Sequence, residues 1–189
     1  PLKTMNRHGL IAGATGTGKT KSLQVLAENL SNKGIPVLLM DIKGDLSGLA
    51  QPSPGHPKID ERHKKIGLPF EAKSFPVEIL TLSEQDGVRL RATVSEFGPV
   101  LLSRILDLSD TQTGVIELEQ QGADLFFGET SFDVQDLQRI DDNGRGYINI
   151  IRLTDIQDRP KLFSTFMLSL LAEIYSTFPE QGDSDRPEL

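Results

Sequence analysis

The sequence predicts an α/β fold in which a mainly parallel sheet is flanked by helices, and three features carry that prediction. A short apolar run at residues 9–12 is followed by a glycine-rich loop and then by leucines at helical spacing. A second apolar run, 36–40, ends in Asp41. Further apolar runs at 77–82 and 147–153 have the length and composition of buried strands. Strand candidates that alternate with helix candidates are typical of parallel α/β sheets.

The loop after the first apolar run is a complete G-x-x-x-x-G-K-[ST] phosphate-binding motif. Its glycines permit backbone dihedrals that are closed to other residues, so that successive N–H groups can turn inward around a phosphate. The helix that follows adds the positive end of its dipole at the same point. The residues predicted to bind nucleotide are Gly13, Ala14, Thr15, Gly16, Thr17, Gly18, Lys19 and Thr20. The motif, set between a strand candidate and a helix candidate, predicts a P-loop NTPase.

Lys19 and Thr20 have separate predicted roles. Lys19 is expected to reach the β- and γ-phosphates, and the Thr20 hydroxyl is expected to ligate the Mg²⁺ that bridges them. A dinucleotide fingerprint is excluded because Lys21 stands where G-x-G-x-x-G requires glycine. A GTPase is disfavoured because residues 32–35 lack the aspartate of the guanine-reading N-K-x-D pattern. The predicted ligands are therefore ATP or ADP and Mg²⁺.

Asp41 is the second catalytic candidate beside Lys19. The carboxyl ends of neighbouring parallel strands share one edge of the sheet, so Asp41 is expected near the phosphates. Two interpretations stay open at this point. The carboxylate either acts on Mg²⁺ or on water, or it caps the turn that follows the strand.

Composition indicates one soluble domain over residues 1–189, with a net charge of −7 and no cysteine. The absence of thiols suits a reducing compartment, so a cytoplasmic location is expected. The longest apolar segment, 162–178, is shorter than a bilayer requires and contains polar residues, which predicts a core helix and no membrane partner. The negative charge argues against a broad DNA-coating surface and leaves local DNA contact open.

Two basic features, the stretch 58–65 and Arg145, have competing interpretations. The first lies within residues 46–76, which contain so many prolines and glycines that they predict an irregular excursion from the sheet. The basic stretch 58–65 within it is interrupted by acids, which favours a solvated loop over a DNA-contacting loop. Arg145 lies between two glycines, and solvent-facing turn chemistry is favoured there over a phosphate contact.

A hydrolytic P-loop enzyme also needs an apolar strand that ends in Asp, usually followed by Glu. The best candidate, 147–155, is weak, because Arg152 interrupts the apolar run and Asp155 lies beyond a threonine. A strand followed by a loop is the preferred interpretation of this segment. The chain also begins without Met and stops just after a helix, so it is expected to be part of a longer protein.

Several segments together resemble the HerA/FtsK-type P-loop ATPases, and within them the YjgR-like branch of bacterial HerA-like proteins. These segments are residues 6–12 together with the motif, 41–50, 93–99, 118–122, 126–129 and 144–146. The resemblance therefore spans nearly the whole chain. The stretch after Asp41 and Glu119-Gln120-Gln121-Gly122 are more specific than the phosphate-binding motif alone.

The resemblance implies an ATPase with a RecA/HerA-like sheet, in which the catalytic Asp–Glu strand follows a long helix. Carried over to this chain, 162–178 is that helix and the Asp–Glu strand is expected just after Leu189. The family pattern also has a longer, largely helical stretch before Leu118, so we expect an abrupt join near Val115 and Ile116. A homo-oligomeric ring, with a neighbour's arginine completing the site, is implied in the same way.

The sequence therefore favours an ATP-binding and ATP-hydrolysing module of a HerA-like motor ATPase. The alternative is a nucleotide-gated interaction module that binds ATP with little or no turnover. A small-molecule kinase is disfavoured, because neither an acceptor pocket nor a basic lid is evident.

Overall fold

The computed structural model describes residues 2–91, 132–178, 182 and 184–189. The strands are β1 (Val37–Asp41), β2 (Val77–Thr81), β3 (Val88–Arg89) and β4 (Ile148–Arg152). The α-helices are α1 (Lys19–Ser31), α2 (Pro57–Ile66) and α3 (Pro160–Thr177). Short 3-10 helices lie at Leu2–Thr4, Ser47–Ala50 and Val134–Gln138.

The described strands form one parallel sheet with the order β1-β4-β2-β3. In the central strand β4, Ile150 is in register with Leu39 of β1 and with Ile79 of β2. The non-consecutive order requires crossover connections, and the one from β1 to β2 contains α2. The predicted α/β class with a mainly parallel sheet is confirmed.

The central strand β4 is buried on both of its sides, because helices cover both faces of the sheet. Ile148 and Ile150 belong to a core with Ala27 of α1 and Leu49 of the 3-10 helix Ser47–Ala50. The alternate residues of β4 face a second core, which α3 and the 3-10 helix Val134–Gln138 complete; its members include Ile151, Leu153, Val134, Leu137, Phe166 and Leu170. The predicted core helix is thus observed as α3. None of the helices in the described part of the chain is both long and apolar enough to cross a bilayer.

The strand predicted at residues 9–12 is not observed. Leu10 is 90% exposed and Ile11 is 47% exposed, and the segment has no regular secondary structure. An apolar run becomes a strand only when a neighbour accepts its backbone hydrogen bonds, and no strand of the described sheet pairs with this one. The prediction was wrong because it was made from local composition, whereas pairing is a tertiary property.

The alternating segment that starts at Val88 was predicted to be a half-exposed strand or a hairpin arm. It forms the two-residue strand β3, which pairs in parallel with β2. Hairpin arms are antiparallel, so the hairpin interpretation is excluded for this pair. Residues 92–131 lie outside the described part of the chain, and so does the join predicted near Val115 and Ile116.

The excursion between residues 46 and 76 contains a regular helix that the sequence did not predict. Pro57 occupies the first turn of α2, His56 accepts the Lys58 N–H, and Gly67 ends the helix in the left-handed conformation. Proline at a helix start and glycine just after its end are start and stop signals rather than breakers. The basic stretch 58–65 therefore lies on an exposed helix, not in a loop.

Candidate functional site

The glycine-rich motif, hereafter the motif loop (residues 13–20), runs directly into the N-terminus of α1. Gly16 and Gly18 have φ angles of 82° and 93°, in the left-handed region that strains any other L residue. Gly18 is the N-cap, and no side chain in the described part of the chain caps the helix. Within the described residues, the N–H groups of Lys19, Thr20 and Lys21 have no backbone acceptor. Unpaired donors at the positive end of a helix dipole form a ready anion site.

Lys19 folds back across the motif loop. Its Nζ donates hydrogen bonds to the carbonyl oxygens of Gly13 at 2.7 Å and Ala14 at 2.8 Å. The Thr17 Oγ1 also donates to Ala14 O, at 2.8 Å, and a Cβ on Gly13 would lie 2.6 Å from that Oγ1. The ammonium thus lies over the loop that the glycines shape, and no acidic side chain among the described residues pairs with it.

Thr20 is half-buried in the first turn of α1, and its hydroxyl has no partner among the described residues. No group of three His, Asp or Glu side chains in the described part of the chain is arranged to hold a metal ion. Mg²⁺ is commonly held by one or two protein ligands together with substrate phosphates. The predicted role of Thr20 is of that kind, and the helix N-terminus next to it fits the phosphates that would bind the cation.

Asp41 is buried at the end of β1, with an exposed fraction of 2%. Its Oδ1 accepts the N–H groups of Lys43 at 3.2 Å, Gly44 at 2.7 Å and Asp45 at 3.3 Å. Its Oδ2 accepts the Leu46 N–H at 3.0 Å. This is the arrangement that the turn-capping interpretation describes, because the carboxylate organises the backbone that follows the strand.

The turn that Asp41 organises is tied to elements on both sides. Gln24 of α1 donates from Nε2 to Asp45 O at 3.0 Å. Gln157, just beyond β4, donates from Nε2 to Ile42 O at 2.6 Å. Gln24 lies one helical turn after Thr20, so these contacts couple the motif helix to the ends of β1 and β4.

Arg145 lies far from the motif loop, at the other end of α1. Its Nε and Nη2 donate to Asp141 Oδ2 at 2.9 and 2.8 Å, and its Nη1 donates to Ser74 O at 2.9 Å. The next residue, Gly146, exchanges two hydrogen bonds with Ser31, the last residue of α1. A 13-residue helix spans about 20 Å, so the solvent-facing turn interpretation is confirmed over a phosphate contact at the loop.

The hydrogen bonds to Asp141 in the turn at 141–145 are expected to make the stability of the folded protein depend on pH. The Arg145 backbone N–H, followed by the Arg145 side chain and the Asn143 N–H, lowers the pKa of Asp141 below the usual aspartate range. A depressed pKa in the folded state contributes stability above the unfolded pKa, and that stability is lost as the pH falls through the folded value. We therefore expect Asp141→Asn to destabilise the protein at pH 7, and the difference from the wild type to shrink below about pH 4.

Urea unfolding of both proteins at pH 7, 5 and 3 measures this effect. Asp142→Asn is the matched control, because Asp142 is exposed in the same turn and makes no ion pair among the described residues. A stability difference that stays constant from pH 7 to pH 3 would contradict the assignment.

Asp155, the weak candidate for a catalytic acid, is exposed in the turn that follows β4. The strand itself ends at Arg152. The preferred interpretation of a strand followed by a loop is confirmed.

A cleft of about 760 Å³ lies between α1 and the segment 45–75, and the sequence did not predict it. Its α1 wall carries Lys21, Gln24 and Glu28. Burial raises the pKa of Glu28, while the nearby Lys21 and Lys73 act in the opposite direction. The helical spacing of Gln24 and Glu28 was visible in the sequence, but the opposing wall comes from the excursion, whose path no local pattern indicates.

Comparison with known proteins adds a family assignment to this geometry. A family model described as helicase HerA-like C-terminal matches residues 1–118 and 114–189. No curated protein and no solved structure is significantly similar to the chain. The two matched segments together cover the whole sequence and include the motif loop, α1 and the strand end at Asp41. The chain therefore belongs to the helicase HerA-like C-terminal family.

Proposed function

We propose that the motif loop binds the phosphates of ATP with Mg²⁺ and that the chain is the nucleotide-binding module of a HerA-like motor ATPase of the YjgR-like branch. The observation that carries the proposal is the uncapped N-terminus of α1, whose free N–H groups lie beside two glycines in the left-handed region. Anions are stabilised at such helix ends by both hydrogen bonding and the helix dipole. The P-loop sequence and the family assignment support the same ligand.

In this proposal, Lys19 exchanges its present acceptors for phosphate oxygens. Its ammonium now donates to the carbonyls of Gly13 and Ala14, which are neutral acceptors. A charged phosphate oxygen is a stronger acceptor for an ammonium group. Thr20 would ligate Mg²⁺ through its hydroxyl, and the ion would neutralise charge on the β- and γ-phosphates.

Asp41 would act on the site through the backbone rather than on water. Its two oxygens already accept four N–H groups, so its carboxylate has little capacity left for a metal ion or a nucleophile. The turn that it organises is joined to α1 through Gln24, one helical turn from Thr20. We propose that Asp41 positions this turn beside the nucleotide.

A second candidate function is a nucleotide-gated interaction module that binds ATP with little turnover. The occupied carboxylate of Asp41 and the exposed position of Asp155 favour it, because neither is placed as a free catalytic acid among the described residues. Steady-state ATP hydrolysis by the full-length protein, with and without DNA, separates the two candidates. Sustained turnover supports the motor ATPase, whereas tight ATP binding without turnover supports the module. A homo-oligomeric ring and DNA translocation are proposed from family membership alone.

Lys19→Ala tests the nucleotide site itself. We expect ATP affinity to fall about 10- to 100-fold, because a hydrogen bond to a charged group contributes about 1.5–3 kcal/mol. Isothermal titration calorimetry with MgATP measures the change. Lys33→Ala is the matched control, since Lys33 is exposed just beyond the other end of α1. Equal ATP affinity in the wild type and in Lys19→Ala would refute the proposed site.

A further inference from the structure

The cleft beside α1 begins where the motif loop ends. Its first lining residue is Lys21, which directly follows Thr20, and its last within α1 is Asn29. Gln24 lies five residues beyond Lys19, or about 7.5 Å along the helix axis. The cleft therefore shares the first turn of α1 with the proposed anion site.

Polar and apolar residues both line the cleft. The α1 side presents Gln24 and Glu28, which lie one helical turn apart. The segment 45–75 contributes the apolar side chains Leu49, Phe70 and Phe75 and also polar ones, among them Asp45, His63 and Lys73. A cleft of about 760 Å³ has the size of a small-molecule site.

Gln24 presents a hydrogen-bond acceptor whose orientation is already fixed. Its exposed fraction is only 6%, and its Nε2 is engaged by Asp45 O at 3.0 Å, which fixes the orientation of the amide. Its Oε1 accepts no hydrogen bond from any other residue in the described part of the chain. A ligand that donates a hydrogen bond to this oxygen therefore displaces no protein donor among the described residues.

Phe70 offers an accessible ring on the facing wall. It is 39% exposed, and its ring lies 5.0 Å from that of His63, with the two planes tilted by 46°. Stacking of a nucleobase on an aromatic side chain is favourable and tolerates any base, because every base has a π-face. The cleft thus combines a stacking surface with an oriented acceptor.

We propose that this cleft binds the base of the nucleotide whose phosphates occupy the motif loop, with Gln24 Oε1 accepting a hydrogen bond from the exocyclic amino group of adenine and Phe70 packing on the ring. This inference rests on the proposed ATP-binding function and adds a base-recognition site to it. It places base recognition on α1 and on the segment 45–75, in the same chain as the phosphate site.

The test compares the affinities of ATP, ITP and inorganic tripolyphosphate, each with Mg²⁺, for the wild-type protein by calorimetry. ITP carries a carbonyl oxygen where adenine has its amino group, and tripolyphosphate has no base. We expect ATP to bind about tenfold or more tightly than tripolyphosphate and about fivefold more tightly than ITP. Equal affinities for ATP and tripolyphosphate would overturn the base site while leaving the phosphate site intact. A protein that binds none of the three would overturn the proposed function as well.

Two variants locate the base in this cleft. Gln24→Leu is expected to remove the preference for ATP over ITP, and Phe70→Ala to weaken ATP binding about fivefold, with tripolyphosphate affinity unchanged in both. Matched controls outside the cleft are Gln135→Leu in the 3-10 helix and Tyr175→Ala on α3, where the tyrosine is 75% exposed. Phe70→Ala does not disturb the Gln24 contact with Asp45, so it keeps the test valid if Gln24→Leu fails to fold. Unchanged ATP affinity in a folded Phe70→Ala protein would contradict the proposal.

Discussion

Asp41→Asn is expected to lower the free energy of unfolding by about 3 kcal/mol, because the Asp41 carboxylate accepts four backbone N–H groups at the end of β1. An amide retains only one oxygen. Its nitrogen would present N–H donors to backbone N–H donors, so either the Leu46 N–H or the Gly44 N–H loses its acceptor. Urea unfolding at pH 7 measures the change.

Asp45→Asn is the control for this substitution, since it removes the same charge from an exposed position in the same turn. We expect it to change stability by less than about 0.5 kcal/mol. The pair also separates the two interpretations of Asp41. An Asp41→Asn protein with wild-type stability but lost ATP turnover would favour direct action on Mg²⁺ or water and would contradict the capping role.

Gly146→Ala is expected to destabilise the protein by about 3 kcal/mol or more. A Cβ at this position would lie 2.2 Å from the carbonyl carbon and 2.3 Å from the oxygen of Ile35, and 2.4 Å from the nitrogen of Pro36. These are backbone atoms, so they cannot move aside as the end of a flexible side chain does. The same glycine exchanges hydrogen bonds with Ser31, so any shift also strains the connection from α1 to β1.

Thermal and urea unfolding of Gly146→Ala measure the loss, with Gly48→Ala as the control. A Cβ on Gly48 has no heavy atom within 4 Å, so this substitution is expected to change stability by less than about 1 kcal/mol. Similar stabilities of the two variants would show that residues 35 and 36 can separate from the turn at Gly146.

Sequence patterns predicted the elements whose evidence is local. The helix over 160–177 follows from a wide apolar face and a proline in its first turn, and β4 follows from a bounded apolar run. The same reasoning failed for residues 9–12, because a strand requires a partner and the run itself contains no information about one. It also missed α2, where proline and glycine mark the two ends of a helix.

The motif loop is the part of the site that the sequence by itself determined. Its glycines, Lys19 and the start of α1 are neighbours in the chain, so the free N–H groups and the returning ammonium follow from local geometry. Only the tertiary structure decided how the residues around it are used. It showed the carboxylate of Asp41 engaged by its own turn, Arg145 held at the far end of α1, and Gln24 facing a cleft. Each of these outcomes depends on which distant segments pack together, and the spacing of residues along the chain does not specify that packing.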